Sequence, residues 1–98
     1  MVGLRTQPSQ TDQVIGQDIS GTLVLLNIPN GQYYSLNELG GRVWVLCDGI
    51  RTVSEIIDLI RNEYEAPVER IQDDVMALLR ELAQEHLVDI GDRVAPGR

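Results

Sequence analysis

Hydrophobic positions follow a strand-like pattern up to residue 36 and a helical one afterwards. Thr22 to Ile28 is rich in Leu, Val and Ile and reads as the firmest strand. Gln13 to Ile19 reads as a strand before it, weakened by Gly16, with Ser20-Gly21 as the turn between them. Tyr33 to Leu36 suits a half-buried pleated surface. Asn37 then stands as the N-cap of a helix whose apolar positions are Leu39, Val43, Leu46 and Cys47, closed by Asp48-Gly49. Thr52 and Glu55 have the spacing of a capping box, ahead of a second helix with Val53, Ile56, Ile57, Ile60 and Tyr64 on one face. Pro67 opens a third helix, about 67–85, with Val68, Ile71, Val75, Leu78, Leu79 and Leu82 as its buried stripe. Glu69, Arg70, Asp73, Asp74, Arg80 and Glu81 fall on its opposite face, and Leu87 to Ile90 reads as a short strand.

This order predicts an α+β, winged-helix-like fold: a three-stranded antiparallel β-meander followed by three α-helices. Residues 1–12 read as a loose N-terminal arm, 13–90 as one folded domain and 91–98 as a C-terminal tail. Pro29-Asn30-Gly31 fits a three-residue hairpin loop, which pairs Ile28 with Gln32, Leu26 with Tyr34 and Val24 with Leu36. The expected core face is then Val24, Leu26, Ile28, Tyr34 and Leu36, with Leu23, Leu25, Tyr33 and Ser35 on the other. In that register Gln32, Tyr34 and Leu36 bond to the preceding strand, while the main-chain groups of Tyr33 and Ser35 point away from it. A two-residue Asn-Gly loop gives the same parity.

A chain of 98 residues is large enough for one modest core. The net charge is −7, and every one of the eight basic residues is Arg. That balance argues against nucleic acid as the partner, since affinity there comes from neutralising phosphates. The single cysteine, Cys47, implies no disulfide and no oxidising compartment. No signal peptide or membrane-length apolar run is present, so the expected setting is cytoplasmic.

Catalytic chemistry is hard to find. One His and one Cys, far apart, cannot supply a usual metal-ligand set. Cys47 and His86 could be weighed as nucleophile and base, but Cys47 lies on an apolar helix face and reads as a buried structural thiol. His86, near the end of the third helix, reads as a helix-end cation. Gly40-Gly41 lacks both the spacing and the Lys of a phosphate loop. Neither catalytic residue, metal nor cofactor is expected. The third strand, by contrast, is an edge with no Lys or Pro between Gln32 and Leu36 to blunt it, a form suited to strand addition by an extended peptide.

The run Gly31-Gln32-Tyr33-Tyr34-Ser35-Leu36-Asn37-Glu38-Leu39-Gly40-Gly41-Arg42-Val43-Trp44-Val45-Leu46-Cys47-Asp48-Gly49, with Arg51-Thr52-Val53-Ser54-Glu55-Ile56-Ile57, resembles the PqqD-like family. These are small domains that bind the leader segments of ribosomally made precursor peptides. The resemblance covers about Thr22 to Ile90 and is most telling at Tyr34 to Asn37, Trp44 and Asp48-Gly49. The stand-alone pattern looks most like the lasso-peptide type. That resemblance implies a non-catalytic domain that presents the leader to a leader peptidase, with the precursor passing on to an ATP-dependent cyclase. It places the leader beside the third strand, at Tyr33, Tyr34, Ser35 and Leu36, in a cleft against the third helix; position on the flank of that helix's stripe assigns Gln72, Val75, Met76, Leu79 and Ala83 to the cleft, with acidic Asp73 and Asp74 near it. The alternatives are a pyrroloquinoline-quinone-type precursor chaperone for a radical enzyme, a winged-helix DNA-binding regulator, and a structural dimerisation module using the same edge.

Overall fold

A computed structural model describes residues 2–90; the expected tail at 91–98 lies outside the described residues. In chain order the elements are β1 (Ser9–Gln10), β2 (Val14–Ile19), β3 (Thr22–Asn27), β4 (Gln32–Leu36), α1 (Glu38–Leu46), α2 (Val53–Glu63), α3 (Val68–Gln84) and β5 (Val88–Asp89). Strands β2, β3 and β4 form an antiparallel meander in that order, and β1 pairs with β5 in a separate two-stranded sheet. The α+β arrangement of three strands followed by three helices is the one the sequence predicts.

The hairpin register differs by one residue from the expected one. The loop has four residues, Ile28 to Gly31, so Asn27 pairs with Gln32, Leu25 with Tyr34 and Leu23 with Leu36. Asn30 causes this locally, because its Oδ1 accepts the Gln32 N–H at 2.9 Å. Gly31, in the left-handed region at φ 70°, donates its N–H to the Asn27 carbonyl at 2.8 Å. A one-residue slip exchanges the faces of β3. Leu25 is fully buried and Asn27 is buried, whereas Ile28, expected in the core, is 52% exposed. On β4 the expected inward pair holds: Leu36 is buried and Tyr34 packs against the core.

Both local helix starts appear as the sequence encodes them. Asn37 Oδ1 accepts the Gly40 N–H at 2.8 Å. Thr52 and Glu55 make the full reciprocal capping box. Between these helices, Asp48 accepts the N–H groups of Arg51 and Ile50, which hold its carboxyl below the usual range. Helix α1 ends at Cys47, and Gly49 takes φ 83° two residues later. Helix α3 ends in a Schellman motif: His86 sits at φ 61°, its N–H bonds to Ala83 O, and Leu87 N–H bonds to Leu82 O. His86 thus ends the helix through its backbone conformation.

The N-terminal segment is not a loose arm. Val2 and Pro8 are buried, Val53 and Ser54 donate to the carbonyls of Thr6 and Leu4, and Gly49 donates to that of Pro8. Gln10 Nε2 reaches Trp44 O at 3.0 Å. These bonds satisfy N–H donors at the start of α2 and after α1, and a carbonyl acceptor in the last turn of α1, that the sequence alone leaves without partners. The core joins Leu25 and Leu36 to Val43, Trp44 and Leu46 of α1, Ile56 and Ile60 of α2, and Val75 and Leu79 of α3. No helix among the described residues is long and apolar enough to cross a membrane.

Candidate functional site: the β4 edge and helix α3

Strand β4 is an edge of the three-stranded sheet, and the parity of its ladder fixes which main-chain groups are open. Ile28 N–H donates to Gln13 O at 3.0 Å, so even-numbered residues of β3 bond to β2. The odd-numbered residues Leu23, Leu25 and Asn27 therefore bond to β4, through Leu36, Tyr34 and Gln32. The N–H and C=O groups of Tyr33 and Ser35 point away from the sheet, as the sequence parity predicts. Their side chains lie on the outer face, with Tyr33 70% exposed. No Pro or Lys interrupts this edge.

Below the edge, Tyr34 and Leu36 turn toward the helices. The Tyr34 hydroxyl lies 3.0 Å from Glu85 Oε1 and 2.9 Å from Gln32 Oε1. Desolvation, reinforced by the Glu85 carboxylate, raises the phenol above its ordinary pKa. Asn27 Nδ2 donates to the Glu85 carbonyl at 3.3 Å. These two contacts tie the last turn of α3 to β3 and β4. Its position is held from behind by Trp44, whose Nε1 donates to Leu87 O at 3.3 Å.

The expected α3 residues fall into two groups. Val75 and Leu79 are fully buried and belong to the core. Gln72, Met76 and Ala83 share one flank of the helix at spacings of four and seven residues. That is a different flank from the one carrying Glu85, which touches β4. Ala83 and His86 border a hollow shared with Gln10, Thr11, Asn30 and Ile90. Asp73 is exposed. The Glu85 flank carries Glu81, Leu78 and Asp74, at four, seven and eleven residues back, with Asp74 3.8 Å from Arg70. An amphipathic stripe has two flanks, and its periodicity gives no signal for which one faces an edge; the Tyr34–Glu85 contact does.

Elsewhere the chemistry is structural. Cys47 is buried and its Sγ donates to Val43 O at 3.2 Å; burial, with Asp48 adding, pushes the thiol up to about 12. It is therefore a protonated thiol at neutral pH, and His86 is exposed. A second, more polar groove beside α1 is dominated by the Arg42–Glu63 pair at 2.7 Å, which holds the Glu63 carboxyl below its usual range. No group of three or more His, Cys, Asp or Glu among the described residues is placed to hold a metal.

Comparison with known proteins fits this geometry. The chain is similar to the solved structure of TbiB1 in complex with the TbiA(beta) leader peptide, at 30% identity and a TM-score of 0.75, covering 90% of this chain and 99% of that one. It also shares its fold with a lasso peptide synthetase B1 complexed with the leader peptide, at 21% identity and a TM-score of 0.73, covering 85% and 98%. Two curated relatives are named PqqA binding protein. That of Rhodopseudomonas palustris (strain BisB5) is 35% identical over 60 residues, 61% of this chain and 59% of that protein. That of Bradyrhizobium diazoefficiens (strain JCM 10833 / BCRC 13528 / IAM 13628 / NBRC 14792 / USDA 110) is 40% identical over 47 residues, 48% and 46%. The matched regions thus span about half to three-fifths of the curated relatives' length. The model of the family described as coenzyme PQQ synthesis protein D (PqqD) matches residues 22–88, from the start of β3 to the start of β5, and so takes in the β4 edge and all three helices: the chain belongs to the PqqD family.

Proposed function

We propose that this chain is a non-catalytic recognition domain for the leader segment of a ribosomally made precursor peptide, of the lasso-peptide type. The leader adds as a strand to the open edge of β4, along Tyr33 to Leu36, with α3 as the wall of the groove and Val75 and Leu79 supporting it from the core. The observation that carries this reading is the pair of outward-facing main-chain stations at Tyr33 and Ser35, on an edge whose Tyr34 meets Glu85 at the end of α3. Leader-peptide complexes among its structural neighbours, and relatives named for binding PqqA, support the same choice. Holding the leader raises the local concentration of precursor at a leader peptidase, and then at an ATP-dependent cyclase, without chemistry of its own. The curated relatives favour a second reading, in which the precursor is PqqA-like and the enzyme served is a radical enzyme of pyrroloquinoline quinone synthesis. The net charge of −7 disfavours duplex DNA as the ligand.

Proline on either side of the β4 ladder separates docking from folding. Ser35→Pro removes an outward donor, which an edge tolerates. The expected result is a folded protein that binds a fluorescein-labelled leader at least about tenfold more weakly, or about 1.4 kcal/mol. Tyr34→Pro removes a donor to Leu25 and melts at a clearly lower temperature without peptide. Circular dichroism melts and anisotropy titrations check both. A folded Ser35→Pro protein with wild-type affinity would exclude main-chain pairing at this edge.

A further inference from the structure

We propose that the outer face of the three-stranded sheet is a self-association surface, on which a second copy of this chain packs face to face. This does not depend on what the β4 edge binds. Ile15, Leu26 and Tyr33 form one cross-strand row on that face, and Gln17, Val24 and Ser35 form the next. Ile15 is 54% exposed and Tyr33 70%, with Ile19 and Ile28 about as open as Ile15. Val24 and Leu26 are half-buried, yet they take no part in the core. An antiparallel sheet with one wet face normally alternates apolar inward with polar outward. Strand β3 does not: Leu23 and Leu25 point in, while Val24, Leu26 and Ile28 point out. That is the pattern of a strand covered on both sides, and it is why the sequence alone assigns Val24, Leu26 and Ile28 to the core. The core formed with the helices lies on the other face, at Leu25 and Leu36.

Charge and area select a second copy as the cover. The chain carries a net charge of −7, so two copies repel each other wherever carboxylate faces carboxylate. The outer rows carry no charge at all, because the strand carboxylate Asp18 lies on the inner side, in the groove with Leu23 and Arg42. Two copies meet there without opposing like charges, and an apolar patch matches itself across a two-fold axis. Three strands about 4.8 Å apart and about six residues long offer on the order of 500 Å² of accessible surface. A pair then buries on the order of 1,000 Å² in total, the lower bound of specific interfaces, which fits a weak, reversible dimer. The open ladder of β4 lies in the plane of the sheet, not on the packed face, so both docking edges stay free in the pair.

The test is sedimentation equilibrium on the whole chain. From about 1 µM to about 1 mM, the wild type is expected to show a reversible dimer with a Kd in the micromolar range. Val24 is the central outward residue of β3, so in a two-fold pair it lies close to its own copy. Val24→Glu and Val24→Lys each bring like charges together and are expected to raise Kd at least about tenfold. Mixed in equal amounts, the two variants are expected to pair with each other at close to wild-type affinity, a recovery that loss of folding cannot produce. Circular dichroism melts check that each is folded. If the central variants unfold, Ile15→Glu, at a more open position, is expected to weaken pairing in the same way. A wild-type chain that stays monomeric throughout overturns the inference and leaves the face to a different protein. A dimer that survives Val24→Glu and Ile15→Glu is built on another surface, the β4 edge among them, and overturns it equally. Folded charge variants that do not recover on mixing overturn the two-fold arrangement.

Discussion

The two edges of the three-stranded sheet, β2 and β4, lie at equal distance from the central strand and are equipped very differently. By the same parity, the groups of β2 that point outward are those of Val14, Gly16 and Asp18. Val14 N–H is already held by Thr11 O at 3.3 Å, and Asp18 Oδ1 is occupied by Gly21 N–H at 3.0 Å. Beneath Gly16 lies the Trp44 ring, so close that a Cβ there would stand 2.9 Å from Cζ3. The β2 edge is thus backed by solid core and carries an inward carboxylate, a common way of discouraging added strands. The β4 edge carries no charge between Tyr33 and Leu36, and its Tyr34 meets Glu85 at the end of α3. That difference is why β4, and not β2, is the edge proposed for docking.

The comparison makes opposite demands on mutations at the two edges. The largest effect is expected from Gly16→Val, whose added atoms meet Trp44 and Leu25 and have nowhere to go. Overpacking of this kind costs about 1–3 kcal/mol. A denaturant titration should show that loss while affinity for a leader peptide holds, the mirror image of Ser35→Pro; weakened binding without lost stability would place the ligand on β2. A smaller effect is expected from Asn37→Ala, which removes the cap that ends β4 and starts α1. About 1 kcal/mol of stability should go, measured the same way. The smallest is expected from Tyr34→Phe. It keeps the ring in the core and deletes only the hydroxyl that joins β4 to Glu85. Its melting temperature should fall less than that of Asn37→Ala, and a larger fall would mean that this contact holds the sheet to the helices as well as lining the groove.

Much of this molecule is legible residue by residue. Asn37, and the Thr52–Glu55 pair, were readable as caps because donor and acceptor lie three residues apart and need no other element. The open parity of Tyr33 and Ser35 was readable because strand alternation survives uncertainty about the loop. The three-strand, three-helix order and the resemblance to PqqD-like domains rest on the same local patterns. Tertiary structure decided the rest. The hairpin register turned on one Asn30 side chain taking the Gln32 N–H, and with it the inward face of β3. The polar N-terminal segment carries no periodicity, and only the unsatisfied donors of α2 and the α1–α2 connection, distant in sequence, fix it in place. The face of α3 turned toward β4 is set by Tyr34 meeting Glu85 across 51 positions of chain. Periodicity tells a helix which side to bury, but which neighbour each flank meets depends on how distant elements pack, and no single segment encodes that.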